Sequence, residues 1–183
     1  MKILLHVCCA NCALYPFQSL QKEGHEVFGF FYNPNIHPYQ EYVKRLEAVK
    51  EIEEKLKVRM IYQDRYDLED FLRNVVFREK ERCPICYYTR MKATAGIARQ
   101  GKFTAFTTTL LASKHQDHHL IKEIGLAVGK EQGVSFYYAD FREGWKEGIE
   151  MSKKLSLYRQ QYCGCIYSEK ERFLKQDKLM IIK

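Results

Sequence analysis

The sequence predicts an α/β fold built on a parallel sheet covered on both faces, and three observations predict it. Strand-length apolar runs alternate with helix-length amphipathic stretches along the chain. The first run, KILLHV, is apolar almost throughout, as a strand buried on both faces is. No internal repeat, low-complexity tract or linker interrupts the pattern, so residues 1–183 read as one domain, long enough for a good core.

Taken in order, residues 2–7 read as the first, buried strand and 12–23 as a helix stopped at Gly24. EVFGFFYN, 26–33, is the second strand, ended by Asn33-Pro34-Asn35. Residues 39–57 form a long helix, with Tyr42, Leu46, Val49 and Leu56 near the 3.6 period and a charged opposite face. A short third strand spans 59–63, and a helix capped by Asp67 spans 67–76. Pro84 suits the first turn of the next helix, which places Cys83 and Cys86 at its N-terminus. The fourth strand is 103–110, a helix follows at 116–132, and the fifth strand is 134–139. Residues 143–155 are helical, YCGC is irregular, and a last helix lies near 168–176.

In such a sheet ligands bind beyond the carboxyl ends of the strands, where strand order reverses. If strands 1 and 4 are neighbours, Cys8 and Cys9 lie in that crevice, near Thr107, Thr108 and Thr109. Neither a dinucleotide fingerprint nor a Walker phosphate loop follows strand 1.

With 46% hydrophobic residues the chain is globular, not disordered. Its apolar runs are too short to span a membrane, and MKILLHVCC lacks the features of a signal peptide, so the cytosol is the expected compartment. In a reducing compartment seven cysteines read as metal ligands or redox groups rather than staples. They fall in three clusters: Cys8, Cys9 and Cys12; Cys83 and Cys86; Cys163 and Cys165. A helix N-terminus favours the thiolate of Cys83 and Cys86. Four thiolates from the first two clusters could hold zinc or an iron–sulfur cluster, and thiol chemistry is a third reading. In YCGC one glycine separates two cysteines; a disulfide there is strained and easily reduced, which suits an electron relay, against two further ligands or one buried thiol.

The remaining signals are weaker. His37 and the run KHQDHH offer acid–base or metal groups, although His118 and His119 read as a solvated helix start and Asp117 as its cap. The net charge of +7 suits a polyanionic partner, and the segment from Arg142 onward holds ten Lys/Arg against six Asp/Glu. There Lys153, Lys154 and Arg159 stand beside YCGC as candidate phosphate contacts. YYTR and YRQQY join aromatics to arginine, a composition that can stack bases.

Together, LLHVCCANC, NPNIHPYQEYVKRLE, CPICYYTRM, FTTTLLASKHQD and YRQQYCGCIYS resemble, in order and over nearly the whole chain, the QueH-type epoxyqueuosine reductases. Asn11 stands where the family's CCAPC has proline. The resemblance implies a Rossmann-like three-layer sandwich with a five-stranded, mainly parallel sheet, similar to adenine-nucleotide alpha-hydrolase-like proteins, and a helical C-terminal segment. It implies a cobalamin-independent iron–sulfur enzyme that reduces epoxyqueuosine at the wobble position of tRNA, served by an unidentified electron donor. It implies a 4Fe-4S cluster on Cys8, Cys9, Cys83 and Cys86, and a redox-active pair at Cys163 and Cys165. Cys12 would replace one ligand or help hold an additional iron ion. His37, Asp117 or a bound water are the candidate proton donors. The competing readings are a non-catalytic zinc-containing RNA-binding module, which leaves CGC unexplained, and a tRNA thiolation enzyme, which needs the missing phosphate loop.

Overall fold

The computed structural model describes residues 1–180, and the side chains of 175–180 are left out of account. Five strands form one sheet in the order β3-β2-β1-β4-β5: β1 (Lys2–His6), β2 (Glu26–Phe31), β3 (Arg59–Tyr62), β4 (Ala105–Thr108) and β5 (Ser135–Phe136). Every pairing is parallel. β1 is the central strand, flanked at Leu4 by Phe28 and Phe106. Ile3, Leu4 and Leu5 are fully buried, as an apolar run packed on both faces must be.

Helices cover both faces. α1 (Ala10–Lys22) packs on β2, with α2 (Tyr39–Leu56) and α6 (Trp145–Lys154) beside it. On the other face α4 (Arg82–Gln100) packs on β1 and β4 and against α5 (His118–Gln132). The short α3 (Leu68–Val75) precedes α4, and α7 (Ile166–Met180) follows the YCGC turn. The order of strands reverses between β1 and β4, so the crevice expected between those two strands is present.

Every strand is shorter than the sequence predicts, β4 and β5 by four residues each. β4 stops at Thr108 because its hydroxyl accepts the Leu110 N–H at 3.2 Å and caps a 3₁₀ turn over Thr109–Ala112. The β-branched run Thr107–Thr109 reads as strand by propensity, and local capping overrides it. β5 keeps only two residues, with one further bond from the Tyr137 N–H to the Phe106 carbonyl at 2.8 Å. Among the described residues no helix is long and apolar enough to cross a membrane.

Candidate active site

The first cysteine cluster sits where β1 hands over to α1. Cys8 lies in the three-residue connection Val7–Cys9, Cys9 is the N-cap of α1 without a side-chain capping bond, and Cys12 lies in the helix's first turn. This compact turn puts the three sulfurs within 4.8 Å of one another, an arrangement able to bind a metal. Pro16, which has no N–H, leaves the Cys12 carbonyl without its usual partner four residues on.

The sheet supports this corner from below. His6, fully buried, ties three strands together: its Nδ1 is 2.9 Å from the Thr108 hydroxyl and its Nε2 3.2 Å from the Tyr32 carbonyl. Burial lowers its pKa to about 4, so the ring is neutral at ordinary pH. The neutral tautomer donates from Nε2 and accepts the Thr108 proton at Nδ1. Thr109 donates its hydroxyl proton to Cys8 Sγ at 3.1 Å while accepting the Cys8 N–H at 3.0 Å. Within the trio, bonds from the Cys12 and Cys9 thiols lower the Cys8 pKa well below its usual value. Cys9 is raised, chiefly by burial, and Cys12 is raised, chiefly through its bond to Cys8. One negative charge therefore settles first on Cys8.

A polar relay meets the same sulfurs from the C-terminal side. Gln160 Nε2 donates to Cys9 Sγ at 2.8 Å and reaches Cys12 Sγ at 3.8 Å. Asn11 sets the orientation of that amide: its Nδ2 donates to Gln160 Oε1 at 2.8 Å and to the Tyr158 carbonyl at 2.9 Å, while Ser152 Oγ donates to Asn11 Oδ1. The residue that departs from the family's proline is thus the middle of a chain running Ser152–Asn11–Gln160–Cys9.

Cys83 and Cys86 open α4 as expected, with Cys163 and Cys165 close enough to act on the charge of both. The lowered thiol pKa expected at this helix start is corrected for both cysteines: burial outweighs the helix end, raising Cys83 and pushing Cys86 up to about 12. All seven cysteines are free thiols, Cys163 exposed and Cys165 buried. Gly164 between them adopts φ +144°, and a Cβ there would lie 3.1 Å from Arg45 Nη1 and 3.3 Å from Asn35 Nδ2. Only glycine fits this turn without strain.

Two buried arginines frame the site, each 2% exposed. Arg45 pairs with Glu41 at 2.7 Å and donates to the carbonyls of Cys163 at 2.7 Å and Tyr162 at 2.9 Å. The Tyr158 hydroxyl completes the Glu41 carboxylate. Arg90 has no carboxylate partner among the described residues. Its Nε reaches the Cys86 carbonyl at 3.3 Å, its Nη1 reaches Asn33 Oδ1 at 3.5 Å, and its Nη2 is buried with no partner. A cation buried this way demands an anion nearby.

Cys8, Cys12, Cys163, Arg90 and Gln160 line one cavity of about 660 Å³, with Trp145 at its wall. Gln116 Nε2 donates to Cys163 Sγ at 3.4 Å across it. A second cavity, about 220 Å³, is bordered by Cys86, Asn74 and Arg65.

The proposed proton donors fare differently. His37 is 1% exposed, with both ring nitrogens unpartnered, against Tyr66 and Phe71; burial lowers its pKa to about 4. It is outside both cavities and neutral, so it is no acid at ordinary pH. Asp117 accepts the Leu120 N–H at 3.0 Å as the cap of α5. His118 is buried rather than solvated, correcting the reading of a wet helix start, while His119 is exposed as expected. His115 is the histidine that lines the larger cavity.

Sequence reasoning missed Arg45, Arg90 and Gln160 as site residues. Arg45 carried a signal: it occupies the buried stripe of α2 between Tyr42 and Val49, where an aliphatic side chain is ordinary.

Residues 3–171 match the family described as QueH: Epoxyqueuosine reductase QueH. The epoxyqueuosine reductase QueH of Dehalococcoides mccartyi is 41% identical over 176 residues, covering 96% of this chain and 97% of that protein. That of Thermotoga maritima is 35% identical over 187 residues, covering 97% and 95%. Among solved structures, the A40926 pseudoaglycone deacetylase Dbv21 superposes with a TM-score of 0.46 at 14% identity, over 74% of this chain and 61% of that one. A likeness at that level carries no argument.

Proposed function

The chain belongs to the QueH family of epoxyqueuosine reductases, and from that premise we infer that it reduces epoxyqueuosine to queuosine at the wobble position of tRNA. The reaction takes two electrons and two protons, removes the epoxide oxygen as water and leaves an alkene. The observation that carries this reading is the meeting of Cys8, Cys12 and Cys163 on one cavity at the strand-order reversal.

The donor set suits a thiolate-bound metal group: three sulfurs converge, and the unpartnered Arg90 guanidinium would be balanced by its negative charge. The ligands we propose for a 4Fe-4S cluster are Cys8, Cys9, Cys83 and Cys86, with Cys12 the sulfur left for an additional iron. When bound, such a group supplies single electrons and a Lewis-acidic iron for the epoxide oxygen. The protein's own groups supply the rest. Cys163 and Cys165, closing from dithiol to disulfide, release two electrons and two protons, which matches the stoichiometry. An external donor, not identified by any residue, restores the dithiol. Trp145 and Leu110 supply apolar wall to the cavity, beside the polar Gln116 and Gln160.

The tRNA face includes Lys153, Lys154 and Arg159, all exposed and without ion pairs among the described residues. About six to ten phosphate contacts would cost roughly 10³–10⁵ in affinity between 50 and 200 mM salt.

The test is direct. Protein purified without oxygen should be brown, carry iron, and form queuosine in tRNA, read by mass spectrometry of the digested nucleosides. A colourless zinc protein with no conversion would overturn the reading in favour of a binding module.

A further inference from the structure

Phe77 is the most exposed large hydrophobic side chain among the described residues, at 93%, and its backbone has φ +62°. Both features are unfavourable for the folded chain alone. A left-handed conformation is unfavourable for a residue bearing a Cβ, and an exposed ring returns nothing by burial. Glycine or asparagine would relieve the first at once.

The conformation is nevertheless held firmly. The Phe77 N–H donates to Glu79 Oε1 at 3.1 Å, and the Arg78 N–H donates to the Val75 carbonyl at 2.8 Å. Val75, fully buried, packs with Phe71 and Cys165 in a small apolar cluster. Three residues before Phe77, Asn74 borders the cavity that Cys86 also borders. The tip is therefore fixed to the wall of the thiol site, with its ring aimed at solvent.

The surroundings select the occupant. Residues 76–81 are all exposed, and within them Arg78 and Lys80 make no ion pair among the described residues. Glu79 turns one carboxylate oxygen back onto the Phe77 N–H, and Glu81 is the second acid of the segment. An exposed aromatic face followed directly by two cations without ion pairs, Arg78 and Lys80, fits an unpaired nucleobase with its adjoining phosphates. Duplex RNA hides base faces, whereas a loop presents them.

We propose that Phe77 is the stacking platform for an unpaired base of the substrate tRNA's anticodon loop, with Arg78 and Lys80 on the adjoining phosphates. This rests on the tRNA reading above and assigns it a surface, on the opposite sequence flank of the thiols from Lys153, Lys154 and Arg159.

The experiment uses the full chain and an anticodon stem–loop with a fluorescent adenine analogue in its loop. Wild type should bind and quench the analogue. Phe77→Ala should weaken binding about 5- to 150-fold, the range that one lost base stack carries, and abolish quenching. Phe77→Trp should retain both. Phe77→Gly should bind as weakly as Phe77→Ala while melting no lower than wild type, which separates lost stacking from lost folding. Wild-type binding with unchanged affinity and quenching in Phe77→Ala would overturn the inference and leave the tRNA reading intact. Failure of wild type to bind the stem–loop would overturn that reading and this inference together. A change from dimer to monomer in Phe77→Ala, with RNA affinity unaltered, would assign the ring to a second copy of the chain and overturn it too.

Discussion

The two ends of the chain bring thiols to the same cavity by opposite means. Cys8, Cys9 and Cys12 stand on the edge of the central strand, where backbone geometry alone brings their sulfurs within 4.8 Å. Cys163 and Cys165 stand on a turn outside every strand, and long-range bonds hold them there: the Arg45 side chain grips two of its carbonyls, and the His37 backbone N–H donates to the Gly164 carbonyl at 2.8 Å. The first site is preorganised by the fold. The second is presented by contacts that can be altered one at a time. A group that must be bound tightly suits the first arrangement, and a pair that opens and closes suits the second.

The largest effect should come from the rigid corner. Cys8→Ala or Cys9→Ala should remove most of the iron, measured per chain, and with it all conversion. Cys83→Ala and Cys86→Ala should do the same if the ligands span both regions; full iron in either would confine the metal to the first trio. The converse break is Cys163→Ser with Cys165→Ser. That variant should keep its iron and its tRNA affinity yet fail beyond a first turnover, counted as queuosine per enzyme. Iron loss there would make the pair ligands and erase the distinction.

Arg45→Met tests the anchorage. Removing one member of a buried pair costs about 3–5 kcal/mol, so the chain should unfold at markedly lower denaturant. Adding Glu41→Gln should recover most of that stability without recovering turnover, because the Cys163 and Tyr162 carbonyls remain unheld.

Acid should loosen the same turn. The folded pKa of His37 is lowered from 6.5 to about 4, so the unfolded chain binds its proton first. The stability this neutral ring contributes is complete above pH 6.5. It is lost as pH falls toward 4, at up to about 1.4 kcal/mol per pH unit. Melting curves across that window should flatten in His37→Leu.

The smallest effect should come from Asn11→Pro. Proline is tolerated in a first helical turn, so folding should persist while Gln160 loses its guide. Iron affinity should fall by less than the 10- to 100-fold typical of losing a direct supporting partner, and Gln160→Leu should show that larger loss.

The same contrast explains what was legible in the sequence. Buried strands, crossover helices and the position of Cys8 at the strand-order reversal follow from local periodicity, which β1 and α2 display plainly. Cys83 and Cys86 could be placed at a helix start because Pro84 marks it. The turn carrying Cys163 could not be placed, because its partners Arg45 and His37 lie more than 100 residues away. Nothing local marks Arg45 as a clamp or Gln160 as a donor to Cys9. The lowered pKa expected of Cys86 failed for a related reason: a helix end is visible in sequence, and the burial that outweighs it is not.

α1 begins with no acidic residue in its first turn and no side chain capping it. Its first N–H groups lack partners inside the helix, and the residues that cluster at this end are Cys8, Cys9 and Cys12. In nucleotide-binding sheets this end of the first helix receives a phosphate. The partial positive charge there is indifferent to whether the negative charge it meets is borne by oxygen or by sulfur. Exchanging a glycine loop for cysteines can thus change the chemistry at this corner from handling phosphate to handling electrons, with the order and direction of every strand untouched.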